Sequence, residues 1–145
     1  MGFLDDRNPS AISQSQMDKW IKEGIIEYHG VSDDVKIEID KVDCVVLPSY
    51  YREGVPHALL ESAAIGRPII TTNSVGCRET VDDKISGYLC RPKDAVDLAE
   101  KMKLILKLDH KQRVRMGKYG REKMKCEFDE KIVIQKYMDV VQECS

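Results

Sequence analysis

The chain alternates between short apolar runs and longer stretches in which apolar and polar positions are mixed. Apolar runs at residues 44–47, 68–72 and 87–90 are bounded by turn residues, which is typical of strands covered on both faces of a parallel sheet. A further run at residues 25–28 predicts one more strand, which a glycine closes. Three or four buried strands therefore form the expected centre of the fold.

Helical spacing of apolar residues fills most of the remaining chain. It predicts helices at residues 14–23, 33–42 and 56–66 and a helical turn at 77–81. Asp94, Asp109 and Asp129 each precede a further amphipathic stretch and are expected to cap it. The helix after Asp94 is expected to bury Val96, Leu98, Ala99, Met102, Ile105 and Leu106. Two glycines, Gly117 and Gly120, are expected to weaken the helix after Asp109.

Strands that alternate with helices and then give way to helices predict an α/β fold, a doubly wound parallel sheet with a helical C-terminal tail. We expect residues 1–128 to form one domain and residues 129–145 to form a helix that leaves it. The apolar and acidic opening of the chain resembles the end of a strand, so the domain is expected to be truncated at its N-terminus.

Composition adds little to this picture, except for cysteine and charge. The 145 residues are 42% hydrophobic and 33% charged, as in a globular protein. Five scattered cysteines without a CxxC pair favour thiols in a reducing compartment, so the expected location is the cytoplasm, either free or peripheral at the inner face of the membrane. No apolar run is long enough to cross a bilayer.

The net charge of -2 hides a strongly basic segment. Residues 101–125 hold ten Lys and Arg against two acids. Such a segment could attract anionic lipid. The alternative is the solvated face of two helices. No interleaved aromatic residues support nucleic-acid binding.

Candidate chemistry concentrates in residues 48–68, between two predicted strands. Gly54 and Pro56 precede a short apolar helix, and the free N–H groups of Val55, His57 and Ala58 at its start suit a diphosphate. Glu61 is a carboxylate among core residues, where it could accept hydrogen bonds from both hydroxyls of a ribose.

Plainer roles remain open for these acids. Glu61 could pair with an arginine, and Glu53 could be an exposed loop acid. His57 is expected to be solvated or hydrogen-bonded, without a role in proton transfer.

An ordered series of motifs then carries a family resemblance. EGVPHALLE, with Glu53 and Glu61 separated by seven residues, resembles the EX7E motif of retaining glycosyltransferases of family 4, which have the GT-B fold. The other motifs lie at residues 45–49, 53–56, 59–61, 64, 66–70, 76–79 and 87–89. The resemblance covers nearly the whole chain and implies the Rossmann-like, donor-binding C-terminal domain of such an enzyme.

The resemblance also implies roles for individual residues. Glu53 would lie beside the transferred sugar as the catalytic residue, with the backbone of Gly54, Val55, Pro56 and His57 near the sugar and diphosphate. Leu60 would pack near the nucleotide, and Glu61 would bind the ribose. The donor would be a nucleotide sugar, with UDP as the expected nucleotide, and neither a metal nor a cofactor would be needed.

Parts of the family pattern are absent from the chain. The family supplies an Arg and a Lys from an earlier strand and loop, and a histidine from an N-terminal acceptor domain. We therefore expect the chain alone to lack the activity that transfers a hexose to a glycan or lipid-linked acceptor. Residues 129–145 would be the helix that crosses back to the missing domain, and its apolar face could drive homodimer formation. A non-catalytic nucleotide-sugar scaffold and half of a GT-B-fold epimerase are the alternatives.

Overall fold

The computed structural model describes residues 11–51 and 54–143. They belong to two compact units, which meet in the chain between Glu38 and Ile39. The expected boundary between residues 128 and 129 stays a prediction.

The first unit holds helix α1 (Gln14–Lys22), as predicted. Ser13 caps it by accepting a hydrogen bond from the N–H of Gln16. The strand predicted at residues 25–28 is wrong, because those residues are neither helix nor strand and Ile25 is 64% exposed. A strand requires a hydrogen-bonding partner, and no described strand pairs with this run. Helix α2 (Val35–Asp40) follows and ends in the second unit.

The second unit is built on three parallel strands in chain order, β1 (Val45–Leu47), β2 (Ile69–Thr72) and β3 (Gly87–Cys90). The central strand β2 is buried at all four positions because it has a strand on either side. In β1, Val46 is 36% exposed, so the expectation that both faces of this strand are covered is wrong for the described residues. Its second edge has no described partner strand.

Helices cover both faces of the sheet, as a doubly wound fold requires. The helical elements after α2 are α3 (His57–Ile65), a 3-10 turn (Arg78–Thr80), α4 (Ala95–Lys107), α5 (His110–Glu127) and α6 (Glu130–Glu143). Leu59 and Ala63 of α3 pack on one face of β2 through Ile69. Ile105 of α4 packs on the other face through Ile70. Helix α5 joins both layers, and a capping box between Asp109 and Gln112 fixes its start.

One of the two glycines of α5, Gly117, has a packing role that the sequence did not reveal. At Gly117 a Cβ would lie 1.8 Å from the carbonyl oxygen of Gly66, so only glycine permits the contact between α5 and the end of α3. Gly66 itself ends α3 with a φ of 93° and closes it through backbone hydrogen bonds to Ser62 and Ala63. A Cβ at Gly120 would meet its neighbours at ordinary contact distances of 3.6 Å or more.

The buried side predicted for α4 is only partly right. Ile105 is buried and Leu98 half-buried, but Val96 is 70% and Leu106 78% exposed. The helix instead faces the sheet through Asp97, which is 7% exposed. The N–H of Arg91 donates to Asp97 Oδ2 at 2.7 Å, and Lys101 lies 3.4 Å from Oδ1. A hydrogen-bonded carboxylate therefore occupies a buried position of α4 at which hydrophobic periodicity predicts an apolar residue.

Candidate functional site

The N-terminus of α3 lies where β1 delivers the chain beyond the carboxyl edge of the sheet. Pro56 is the N-cap residue, and its carbonyl accepts the first helical hydrogen bonds, from Leu59 and Leu60. Its side chain provides no capping bond. The N–H groups of His57 and Ala58 therefore have no partner within the helix. Together with the helix dipole they make this point attractive to an anion.

Glu61 lies one turn further along α3 and is half-buried. Within residues 11–51 and 54–143, no hydrogen bond or ion pair involves its carboxylate. The arginine partner that a purely structural role would require is not found among these residues. The carboxylate is thus placed to accept hydrogen bonds from a ligand.

The other predicted site residues divide between exposed and packed positions. Gly54 and His57 are exposed, whereas Val55 and Pro56 are half-buried. Leu60 packs against the buried cluster around Leu59. The structure therefore brings six of the seven predicted residues together along residues 54–61. The seventh, Glu53, lies outside the described residues, as does Arg52.

Hydroxyl groups at the end of β2 hold the start of the loop that leads to α3. Thr72 Oγ1 donates to the carbonyl of Ser49 and lies 2.8 Å from Ser74 Oγ. One residue earlier, Thr71 Oγ1 donates to the carbonyl of Leu47 at 2.8 Å. Both threonines are buried. Hydrophobic patterning did not reveal this contact; two threonines at the end of an otherwise apolar strand are the signal that could have done so.

The loop after β2 is braced by Glu79. Arg78 Nε lies 3.3 Å from its carboxylate. Partial desolvation opposes ionisation, but the backbone N–H groups of Glu79 and Gly76 and the guanidinium of Arg78 outweigh it and lower the pKa of this carboxyl. Glu79 therefore stabilises the loop at neutral pH as an anion.

A metal or a reactive thiol finds little support in the described part of the chain. There, no group of three or more His, Cys, Asp or Glu side chains could hold a metal ion. The four described cysteines are free thiols, and burial raises the pKa of Cys44 to about 12. Burial, followed by the charge of Asp97, also raises the pKa of Cys90. Among the described helices, none has the length and apolar character that crossing a membrane would require.

Comparisons with known proteins agree on one family. Residues 14–123 match the family model described as "Glycosyl transferases group 1". The chain is 33% identical over 133 residues to N,N'-diacetylbacillosaminyl-diphospho-undecaprenol alpha-1,3-N-acetylgalactosaminyltransferase of Campylobacter jejuni, covering 92% of this chain and 34% of that protein. It is 30% identical to the putative colanic acid biosynthesis glycosyltransferase WcaL of Escherichia coli, covering 98% and 36%. The chain thus spans about a third of the length of these relatives.

A solved structure supports the fold. The chain superposes on Anabaena Alr3699/HepE, crystallised with UDP, with a TM-score of 0.78 at 18% identity, covering 89% of this chain and 35% of that one. This likeness confirms the expected Rossmann-like architecture of a GT-B half. With the family match over residues 14–123, it leads to one conclusion: the chain belongs to the group 1 glycosyltransferase family.

Proposed function

We propose that this chain is the nucleotide-sugar-binding part of a retaining glycosyltransferase that transfers a hexose-type sugar. The N–H groups at the start of α3 bind the diphosphate of the donor, and Glu61 accepts hydrogen bonds from the ribose. Glu53 lies beside the sugar. The UDP ligand of Anabaena HepE favours UDP as the nucleotide.

The observation that carries this proposal is the start of α3. Within residues 11–51 and 54–143, the N–H groups of His57 and Ala58 have no bonding partner and the Glu61 carboxylate is unpaired, all within five residues at the carboxyl edge of a parallel sheet. In open α/β sheets, ligands bind at this edge. The N–H donors at the start of the helix suit the diphosphate of a nucleotide. The carboxylate acceptor that follows them suits the hydroxyls of its ribose.

The arrangement would assist transfer by electrostatic stabilisation. The bond between the anomeric carbon and the diphosphate oxygen breaks, and the acceptor hydroxyl oxygen bonds to the same face of the sugar while its proton passes to the departing diphosphate. The diphosphate gains negative charge as it leaves, and the N–H groups and dipole of α3 meet that charge without reorganising. No metal is needed for this role.

The acceptor follows from the relatives and remains part of the proposal. One relative's name specifies a diphospho-undecaprenol substrate, and another's specifies colanic acid biosynthesis. We therefore propose a glycan or lipid-linked acceptor for this protein. Groups that bind the acceptor, and the cations of the family pattern, would come from outside the described residues, so the chain by itself is expected to lack transfer activity.

Calorimetry with UDP and UDP-glucose tests the donor site without requiring turnover. We expect measurable heat of binding for both ligands at up to millimolar concentration. Inorganic phosphate, which lacks the ribose and sugar, should bind more weakly than UDP. An absence of heat with UDP at millimolar concentration would exclude a donor site in this chain and favour an inert scaffold.

A further inference from the structure

Helix α5 presents a row of cations on its outer face. Lys111, Arg115, Lys118 and Arg121 are exposed and lie three or four residues apart, so they share one side of the helix. We call these four residues the basic face. The basic segment of the sequence spans α4 and α5. Within it, α5 concentrates exposed positive charge on one surface.

A cavity of about 250 Å³ opens beside the basic face. Lys118 and Arg121 line it together with Arg67, Arg113 and His110. Its floor is preorganised, because Arg67 pairs with Asp40 at 2.6 Å and Arg113 pairs with Asp43 at 3.2 Å. Both guanidinium groups also donate to backbone carbonyls. The cavity thus has two fixed cations and two exposed ones.

The positive charge of this region is only partly neutralised. Among the described residues that line the cavity, Asp43 is the single acid. Within the described residues, Lys111, Lys118 and Arg121 have no acidic partner. The nearby Glu122 pairs with Lys125 at 2.7 Å. Uncompensated cations around a concave surface attract an anionic ligand.

This region is distinct from the proposed donor site. Gly66, Arg67 and Pro68 precede β2, so the cavity lies at the amino edge of the sheet. The start of α3 follows β1 and lies at the carboxyl edge. Changes to the basic face should therefore leave donor binding intact.

We propose that the basic face and its cavity dock the protein on anionic lipid headgroups. Charge complementarity supports an anionic partner, with the cavity receiving a phosphate group. Val114, 38% exposed, lies among the cations, and Tyr119 is the only aromatic residue of α5, so the face lacks the stacking platforms of single-stranded nucleic-acid sites. The choice of lipid over other anions also rests on the proposed lipid-linked acceptor.

Vesicle co-sedimentation tests the docking surface. The full chain should bind phosphatidylcholine vesicles containing 30% phosphatidylglycerol, bind pure phosphatidylcholine far less, and be released by high salt. Each cation near an anionic bilayer contributes about 1 kcal/mol, so the double variant Lys118→Glu/Arg121→Glu should bind at least roughly 30-fold more weakly. The matched control Lys103→Glu/Lys107→Glu changes the net charge equally on the exposed side of α4 and should bind nearly as the wild type does.

Three further readouts make the outcomes decisive. Circular dichroism must show both double variants folded; should Lys118→Glu/Arg121→Glu unfold, Lys118→Gln/Arg121→Gln replaces it. UDP affinity should be unchanged in both, and a failure of UDP to bind anywhere would contradict the donor site without affecting the lipid result. No binding to anionic vesicles, equal losses in the two variants, or tighter binding to a DNA duplex than to the vesicles would overturn the docking proposal.

Discussion

At the scale of single residues, the position of Glu61 in the fold supports the proposed binding of a ribose. A half-buried carboxylate on an otherwise apolar helix has an unfavourable solvation energy unless a partner compensates it. The described structure supplies no such partner, and the ribose of a nucleotide would supply two hydroxyl donors. The position therefore has an explanation in binding that it lacks in stability.

Substitution of Glu61 tests this explanation directly. Glu61→Ala should weaken UDP binding by about 1.5–3 kcal/mol, the range for hydrogen bonds to a charged group. Calorimetry measures the loss, with Glu100→Gln on the exposed side of α4 as the control that should leave affinity unchanged. Equal affinities in wild type and Glu61→Ala would remove the ribose role.

Glu53 should affect a different part of the donor. Because it is proposed to contact the sugar, Glu53→Ala should reduce affinity for UDP-glucose more than affinity for UDP. The same calorimetric titrations give both constants. Equal losses for the two ligands would mean that Glu53 does not act at the sugar.

At the scale of elements, the contact between α3 and α5 depends on a single missing side chain. Gly117→Ala would force a Cβ against the Gly66 carbonyl, whose backbone cannot swing away as a flexible side chain can. We expect a loss of about 1–3 kcal/mol in the free energy of unfolding, or more, measured by urea titration. Gly120→Ala in the same helix should be neutral or stabilising, since its Cβ has room and alanine favours helix. Similar effects at both glycines would contradict the close contact.

The threonine pair at the end of β2 makes a second prediction at this scale. Thr71→Val and Thr72→Val each remove a buried hydroxyl and should each lower stability by about 1–3 kcal/mol. Of the two threonines, only Thr72 donates to the carbonyl of Ser49, at the start of the loop that leads to Glu53 and α3. UDP-glucose affinity should therefore fall in Thr72→Val and be retained in Thr71→Val. A fall in both would show that the effect is on the sheet and not on the loop.

How far the sequence predicts these elements depends on where their determinants lie. Caps and turns are local, so Asp94, Asp109 and Gly66 correctly predict where helices begin or end. The prediction of a strand at residues 25–28 failed because strand pairing depends on a partner that is distant in the sequence. The prediction of the buried face of α4 was only partly right, because Asp97 accepts a compensating hydrogen bond from the N–H of Arg91 that periodicity does not reveal. The site motif was predictable as a motif, whereas the hydroxyl contacts behind it depend on which strands lie side by side.

At the scale of the whole molecule, stability should fall in acid. The hydrogen bond from the N–H of Arg91 is the largest cause that lowers the pKa of Asp97 below its usual value; burial opposes it, and the charges of Lys101 and Arg91 lower the pKa further. A depressed pKa in the folded state contributes stability above the unfolded value of about 4, and that stability is lost as the pH falls through the folded pKa.

Thermal melts between pH 7 and pH 3 measure the contribution of the Asp97 carboxylate to stability. Asp97→Asn should lower the melting temperature at pH 7, and the difference from wild type should shrink toward pH 3 as the wild-type carboxyl gains a proton. Glu100→Gln is the matched control and should follow the wild type throughout. A difference that does not change with pH would mean that the charge of Asp97 has no part in stability.

The central claim is that a nucleotide binds at the start of α3, and amide NMR of the full chain during a UDP titration tests it most directly. The account predicts that the largest shifts fall on the backbone N–H groups of Val55, His57, Ala58 and Glu61. Proline at position 56 has no amide signal, and the amides of Lys118 and Arg121 should move little. Shifts concentrated on the basic face of α5, or none at millimolar UDP, would contradict the account.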